Sequence, residues 1–327
     1  MNSIIRKLRI YKYRFKLNKI LNYDRKKYLK NCCLPPEISN QKESLERDML
    51  VYSHTIEKGL SHLKIKPLFG YEIVQKLLRI SLDYFHLPDY NEFYLKMSIS
   101  ILCLYNEVNS NIGITQDKLP QVPKDLYKYN IFSVGAKETN KEEFFRESNS
   151  NFFDFSNSRH SVRLYDSKSL DIDKNQIEQC IELAMNSPSA CNRQAINTIV
   201  VLDKEMIRKI CEIQQGSKIF GENAGALILI KADLNFYHIN ERKIPIFDSG
   251  LFTMNLLYSL HFYKLGACVL NASLNEKQQK ALEKIIFLKE SDLLTAIIAV
   301  SNIPNDENFK VAKSIKKEVK DIVEYID

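Results

Sequence analysis

Residues 247–265 constrain this chain more than any other stretch. They read as one long helix carrying Leu251, Phe252, Met254, Leu256, Leu257, Leu260 and Phe262, apolar on nearly every side. A surface helix shows one apolar stripe, and a helix that is apolar all round has to be covered all round. A domain this small cannot supply all of that cover, so the outer face is expected to pack on a second subunit. No apolar run approaches the length of a membrane span.

The surroundings of that helix alternate between helices and short apolar runs. Strands are expected at 198–202, 226–230, 267–270 and 294–300, the first of them buried, with helices at 173–186, 204–214 and 276–286. Asp173 followed by Gln176 has the spacing of a capping box. This alternation predicts a central sheet covered on both faces. Upstream the texture is helical, with stretches at 41–58, 70–86 and 90–108 punctuated by Gly59, Gly70 and Pro88. Residues 111–150 have weak periodicity, two prolines and a polar run from Lys137. The domain boundary is expected there, giving a helical region over 1–150 and a second domain over 151–327.

The N-terminus has its own character. Residues 1–30 hold eleven of the 47 Lys and Arg against Asp24 alone, so the rest of the chain is slightly acidic although the whole carries +7. Residues 1–30 read as a basic amphipathic helix with Ile4, Ile5, Leu8, Tyr11, Phe15, Ile20 and Leu21 on one side, ended by Pro35 and Pro36. Such an arm suits a docked structural helix or an anionic membrane surface. Nucleic acid is not expected, because the body is acidic and no aromatic-basic platform is present. The arm lacks the continuous apolar stretch of a signal peptide. Seven cysteines without a C-x-x-C pair fit neither a disulfide framework nor a zinc site, and suit a reducing cytoplasm.

Two segments carry the chemistry. Ser158, Arg159, His160, Ser161, Val162 and Arg163 place two guanidiniums, an imidazole and two hydroxyls within six positions. Arg suits phosphate because its planar fork bonds two oxygens at once. Pro188, Ser189, Ala190, Cys191, Asn192, Arg193 and Gln194 form a turn with two amide side chains and, Pro188 and Cys191 apart, no apolar side chain larger than Ala. Asn192 and Gln194 each offer a donor and an acceptor. Together the segments fit a phosphorylated, planar, hydrogen-bonding ligand such as a flavin nucleotide. Taken alone, the first also reads as a charged surface loop and the second as ordinary turn residues.

With Asp248-Ser249-Gly250 opening the long helix and Leu265-Gly266-Ala267-Cys268 closing it, these segments resemble the nitroreductase family of FMN-dependent oxidoreductases, over roughly residues 155–327. The resemblance implies an α+β fold, a mixed, mainly antiparallel sheet flanked by helices, preceded here by the helical N-terminal region. It implies a homodimer with FMN at the interface. Arg159, His160 and Ser161 would contact the phosphate and ribityl chain, with Arg163 near the phosphate or the incoming nicotinamide nucleotide. Pro188, Ser189 and Ala190 would line the ring, and Asn192 and Gln194 would face its edge. Asn271 and Ala272 would present backbone near N5, and Lys316, within the run 313–317, would contact phosphate. The chain departs from the family pattern at Ala195-Ile196, where Pro-Trp is common, at Asn271-Ala272, where a Gly pair or Glu-Gly is usual, and at Ser301, where a Gly is usual.

The expected activity is NAD(P)H oxidation with electrons passed through FMN to a small organic acceptor in a ping-pong cycle. No catalytic side chain and no metal are required, since the cofactor carries the hydride. The alternative is a flavin-binding interaction protein or membrane-recruited scaffold with little turnover. The N-terminal extension resembles that of nitroreductase-like proteins linked to surface polysaccharide synthesis. The expected location is cytoplasmic, peripheral to the inner face of the membrane if the arm binds lipid. Within the extension, His54 and Glu57 share a helix face. They read as a surface hydrogen bond, or as part of a lid reaching the ligand pocket.

Overall fold

The computed structural model describes residues 3–31, 42–165, 171–217, 220–238, 240–305 and 307–326. In chain order its helices are α1 (Ser3–Asn31), α2 (Lys42–Leu60), α3 (Tyr71–Phe85), α4 (Glu92–Asn111), α5 (Lys141–Phe144), α6 (Phe152–Ser158), α7 (Lys174–Ala184), α8 (Lys204–Gln214), α9 (Ile244–Phe262) and α10 (Glu276–Glu283). The strands are β1 (Ala136–Thr139), β2 (Ile196–Val201), β3 (Ala226–Asp233), β4 (Gly266–Leu270), β5 (Asp292–Ser301) and β6 (Phe309–Ala312). Two units result: a sheet unit of residues 1–29 and 140–307, and a helical unit of residues 30–139 and 308–327. The boundary expected at 150 thus falls inside the sheet unit, and the last twenty residues group with the helices. Pairing explains that grouping, because β6 lies antiparallel on β1, with Ala136 opposite Ala312 and Thr139 opposite Phe309.

The sheet unit is built on four strands in the order β2-β3-β5-β4, every neighbouring pair antiparallel. Alternate residues of the central strands point to opposite faces. Ala226, Ile228 and Ile230 of β3 and Ala296, Ile298 and Val300 of β5 join Phe252, Leu256, Leu257 and Leu260 of α9 and Ile177, Cys180 and Ala184 of α7 in one core. Leu227, Leu229, Ile297 and Ala299, facing the other way, are buried too, so the sheet is covered on both faces. The long helix runs 244–262, three residues earlier than the apolar pattern suggested, because Pro245 suits the first turn of a helix. The buried strand expected at 198–202 is instead the half-buried edge strand β2. The capping box expected at Asp173 is not made. Asp173 does cap α7 by accepting from the Asn175 N–H, but the Gln176 amide donates to the Tyr263 carbonyl at 2.7 Å.

The arm is helical throughout its described length, yet its apolar residues do not form one stripe. Among its described side chains, Leu17, Ile20 and Asp24 are the half-buried ones and the rest are exposed. Asp24 is held by Arg242, whose Nη2 donates to its Oδ1 at 2.6 Å. Pro35 and Pro36, expected to end this helix, lie outside the described residues, as do Cys32 and Cys33.

In the helical unit, α2, α3 and α4 share a core of Met49, Ile56, Leu77, Ile80, Leu95, Ile99 and Leu102. Glu57 is fully buried on α2, and its carboxylate accepts from the Ser314 N–H at 3.0 Å and contacts His54 Nδ1 at 3.2 Å. The pair expected as a surface hydrogen bond is therefore half internal, and it clamps the chain just after β6. Close approach also fixes Gly59. A Cβ there would lie 2.0 Å from Cε2 of Phe69. Overpacking of this kind typically costs about 1 to 3 kcal/mol. Gly59→Ala should therefore shift urea unfolding of the helical signal to lower denaturant, and Phe69→Leu in the same chain should restore part of the loss. A Gly59→Ala protein that unfolds like the parent, followed by circular dichroism, would contradict this packing.

Candidate functional site

The segment after α6 is extended, and it lies along β4 because the Val162 N–H donates to the Ala267 carbonyl at 3.0 Å. Val162 is fully buried, and Gly266 permits the approach, since a Cβ there would meet Ile303 Cγ1 at 2.9 Å and Val162 Cγ1 at 3.3 Å. This positions the expected phosphate residues. Arg159 is half-buried, and its Nε is buried without a hydrogen-bond partner among the described residues. Burial pulls its guanidinium below the ordinary arginine range, with Tyr258 and Cys268 the nearest opposing influences. A charged donor left unpaired inside a protein costs free energy unless a ligand completes it. His160, Ser161 and Arg163 are partly exposed beside it. Asn271 and Ala272 leave the far end of the same strand, where the Asn271 side chain accepts from the Ser273 N–H at 2.7 Å and its carbonyl accepts from Gln214 Nε2 at 3.0 Å.

Behind Arg159 sits a residue the sequence reading did not single out. His261, near the end of α9, is buried among the rings of Phe144, Phe145 and Phe155. Its Nε2 lies 2.8 Å from the Ser158 Oγ, whose hydroxyl donates to the Phe155 carbonyl at 2.9 Å. Burial first, then the neighbouring Arg159 and His160 charges, hold the imidazole down to about 4. A neutral His261 therefore anchors the residue that precedes Arg159.

The turn at 188–194 is a strained, well-braced loop. Cys191, Asn192 and Gln194 all have left-handed backbone, with φ of 53°, 55° and 52°. Non-glycine residues hold that conformation only where neighbours over-determine it. The Ser189 hydroxyl accepts from the Gln194 N–H at 3.0 Å, and the Ala190 N–H donates to the buried Asp248 carboxylate at 3.3 Å. Tyr237 also donates to Asp248, at 3.1 Å. Arg193 is a brace as well: its Nε donates to the Ala190 carbonyl, and its two terminal nitrogens bond Glu241 at 2.7 and 3.2 Å. That pairing holds the Glu241 carboxyl down to about 2. Asn192 and Gln194 remain exposed, and Cys191 is an exposed free thiol. Pro188, Ser189 and Gln194 line a pocket of about 380 Å³ with Met185, Asp248 and Phe252. The bracing roles of Asp248, Tyr237 and Glu241 were not foreseen, although an acid in an otherwise apolar helix was a signal that some partner must meet it.

The two motifs are anchored near opposite ends of α9. One is tied to His261 and the other to Asp248, thirteen residues apart on α9, hence about 20 Å along the helix. Lys316 lies in the helical unit and is exposed. Of its basic run, Lys313 donates to the Ser133 hydroxyl and Lys317 to the Tyr94 hydroxyl, so those two are engaged within that unit.

A family model described as "Nitroreductase family" matches residues 157–216. A protein of Archaeoglobus fulgidus named "Putative NADH dehydrogenase/NAD(P)H nitroreductase" is 30% identical over 156 residues, covering 46% of this chain and 83% of that protein. The chain belongs to the nitroreductase family. The family match opens just before Arg159 and closes after the turn, so it spans both motifs. An enzyme of Bacillus subtilis named FMN reductase (NAD(P)H) is 31% identical over 107 residues, which cover 33% of this chain and 40% of that one. Among solved structures, an FMN-dependent nitroreductase from Clostridium difficile is 19% identical, with 53% of this chain and 98% of that chain covered and a TM-score of 0.43.

The neutral state of His261 sets a sign for pH. The unfolded imidazole takes a proton near 6.5, whereas the folded one resists it down to about 4. Its contribution to stability is complete above pH 6.5 and is lost as pH falls toward 4, at up to about 1.4 kcal/mol per unit. Unfolding measured across that window should show this slope in the parent and a shallower one in His261→Phe. Equal slopes would mean the imidazole is not held neutral.

Proposed function

We propose that this nitroreductase-family chain is an FMN-dependent oxidoreductase that passes electrons from NAD(P)H to a small organic acceptor in a ping-pong cycle. The observation that carries the reading is the buried Arg159 Nε left without a partner among the described residues. A phosphate monoester is the complement that such a guanidinium lacks. Bound FMN supplies the hydride chemistry; the protein's part is to bind, orient and shield it. Arg159, His160 and Ser161 hold the phosphate and ribityl oxygens. Arg163 lies toward the phosphate or the nicotinamide nucleotide. Pro188, Ser189 and Ala190 form the wall against the ring, and the amides of Asn192 and Gln194 offer donors and acceptors to its polar edge. Asn271 and Ala272 bring backbone to its reacting side. No side chain is assigned as a catalytic acid or base.

The 20 Å between the two anchor points on α9 supports a shared site. With α9 packed against its copy across a two-fold axis, the Arg159 half of one protomer completes the 188–194 half of the other. Ile246, Phe247, Met254 and Phe262 of α9 are exposed in the single chain, which leaves an apolar surface for that contact. On this reading the enzyme is a homodimer. Low turnover as a scaffold is the competing reading, and steady-state NAD(P)H consumption with quinone or nitroaromatic acceptors separates the two.

The purified protein should be yellow and release FMN on heating. Arg159→Ala should weaken FMN binding by about 3 kcal/mol, more than a hundredfold in Kd. An unchanged Kd would reject the phosphate assignment. Sedimentation should show a dimer, and a stable monomer retaining FMN would reject the shared site.

A further inference from the structure

The arm carries a face that nothing in the described structure covers. Leu8, Tyr11 and Phe15 stand at positions i, i+3 and i+7 of α1, so they share one side of the helix. They are 61, 71 and 64% exposed. Leu17, Ile20 and Asp24 repeat the same spacing nine residues later. Nine residues are about two and a half turns, so the second set lies on the opposite side. That second side is the half-buried one, and the Asp24 pair with Arg242 pins it to the sheet unit. Fixing one side of a helix turns the other outward. Cations border the outward stripe on both sides: Lys7 and Arg14 along one edge, Lys12 and Lys19 along the other, all exposed.

An apolar stripe between two rows of cations is complementary to one kind of surface. The rows meet anionic headgroups while Leu8, Tyr11 and Phe15 enter the boundary between headgroups and acyl chains. A second copy of the arm is a poor occupant, because eleven cations against one carboxylate in residues 1–30 would face their like. Nucleic acid would use the cations and leave the apolar stripe wet. No helix among the described residues is long and apolar enough to cross a membrane, so the contact is with a surface. We infer that the outward face of α1, Leu8-Tyr11-Phe15 between its rows of Lys and Arg, is a docking site for an anionic lipid bilayer.

The test uses the full chain and vesicles of phosphatidylcholine alone or mixed in equal parts with phosphatidylserine. The protein should pellet with the mixed vesicles and not with phosphatidylcholine alone, and added salt should release it. The double variant Leu8→Ser with Phe15→Ser keeps every charge, and Lys12→Glu with Lys19→Glu keeps the stripe. Each should reduce partitioning about tenfold or more while sedimentation, far-ultraviolet circular dichroism and flavin content stay those of the parent. Failure to bind the mixed vesicles at low salt would overturn the inference. So would loss of binding only in the charge variant, which would make the arm a general polyanion contact of the kind nucleic acid also satisfies. A stripe variant that dissociates the dimer would show that a second copy occupies this face.

Discussion

Burial of α9 is the condition on which the rest of the sheet unit rests. Phe252, Leu256, Leu257 and Leu260 lie against the β3 and β5 residues that form the middle of the sheet, and α7 closes over the same core. Two polar residues of this helix hold other segments in place. Asp248 near one end receives the backbone of the 188–194 turn, and His261 near the other receives Ser158. An unpaired buried acid or imidazole would be costly, so each of these contacts is specified by the apolar setting around it. The same helix thus organises the core and sets the spacing between the anchors of the two motifs. Because Asp248 and His261 belong to one continuous helix, that spacing is fixed by the helical rise.

The strain in the turn follows from this arrangement. Three left-handed residues in four positions would not persist in a free loop. Here Ser189, Asp248 and the Arg193–Glu241 pair each fix a different part of the backbone. The outcome is a loop whose exposed Asn192 and Gln194 side chains stand on an already ordered backbone, which spares the entropy that a flexible loop would lose on binding anything.

Much of the sheet unit was legible because its determinants are local. The runs of β3 and β5 are long and apolar, and α9 shows an all-round pattern that only burial satisfies. The edge position of β2 was not legible, since Ile196 to Val201 reads as apolar whether one face or both are covered. The partner of Gln176 was hidden because Tyr263 lies 87 residues away. Both motifs of the candidate site stood out by residue type, but their separation along α9 depended on Asp248 and His261, whose partners are backbone or hydroxyl groups far away in sequence. The pairing of β1 with β6 had no signal at all: Ala-Lys-Glu-Thr and Phe-Lys-Val-Ala are too short to show a period.

That last pairing bears on how the protein is made. The Asn308 amide meets Glu138 across 170 residues of chain, and the Ser314 N–H meets Glu57 across 257. At ordinary translation speeds of about 5 to 20 residues per second, the first three helices of their unit wait on the order of ten seconds or more for the strand that completes them. The buried Glu57 carboxylate lacks its Ser314 donor throughout that interval. The four strands of the sheet unit all lie inside the intervening stretch, so its sheet emerges in the meantime and only its arm, residues 1–29, comes from before the helices. Completion therefore reverses the order of synthesis: the later-made sheet is finished first, and the earlier-made helices α2 to α4 are the ones a chaperone has reason to hold.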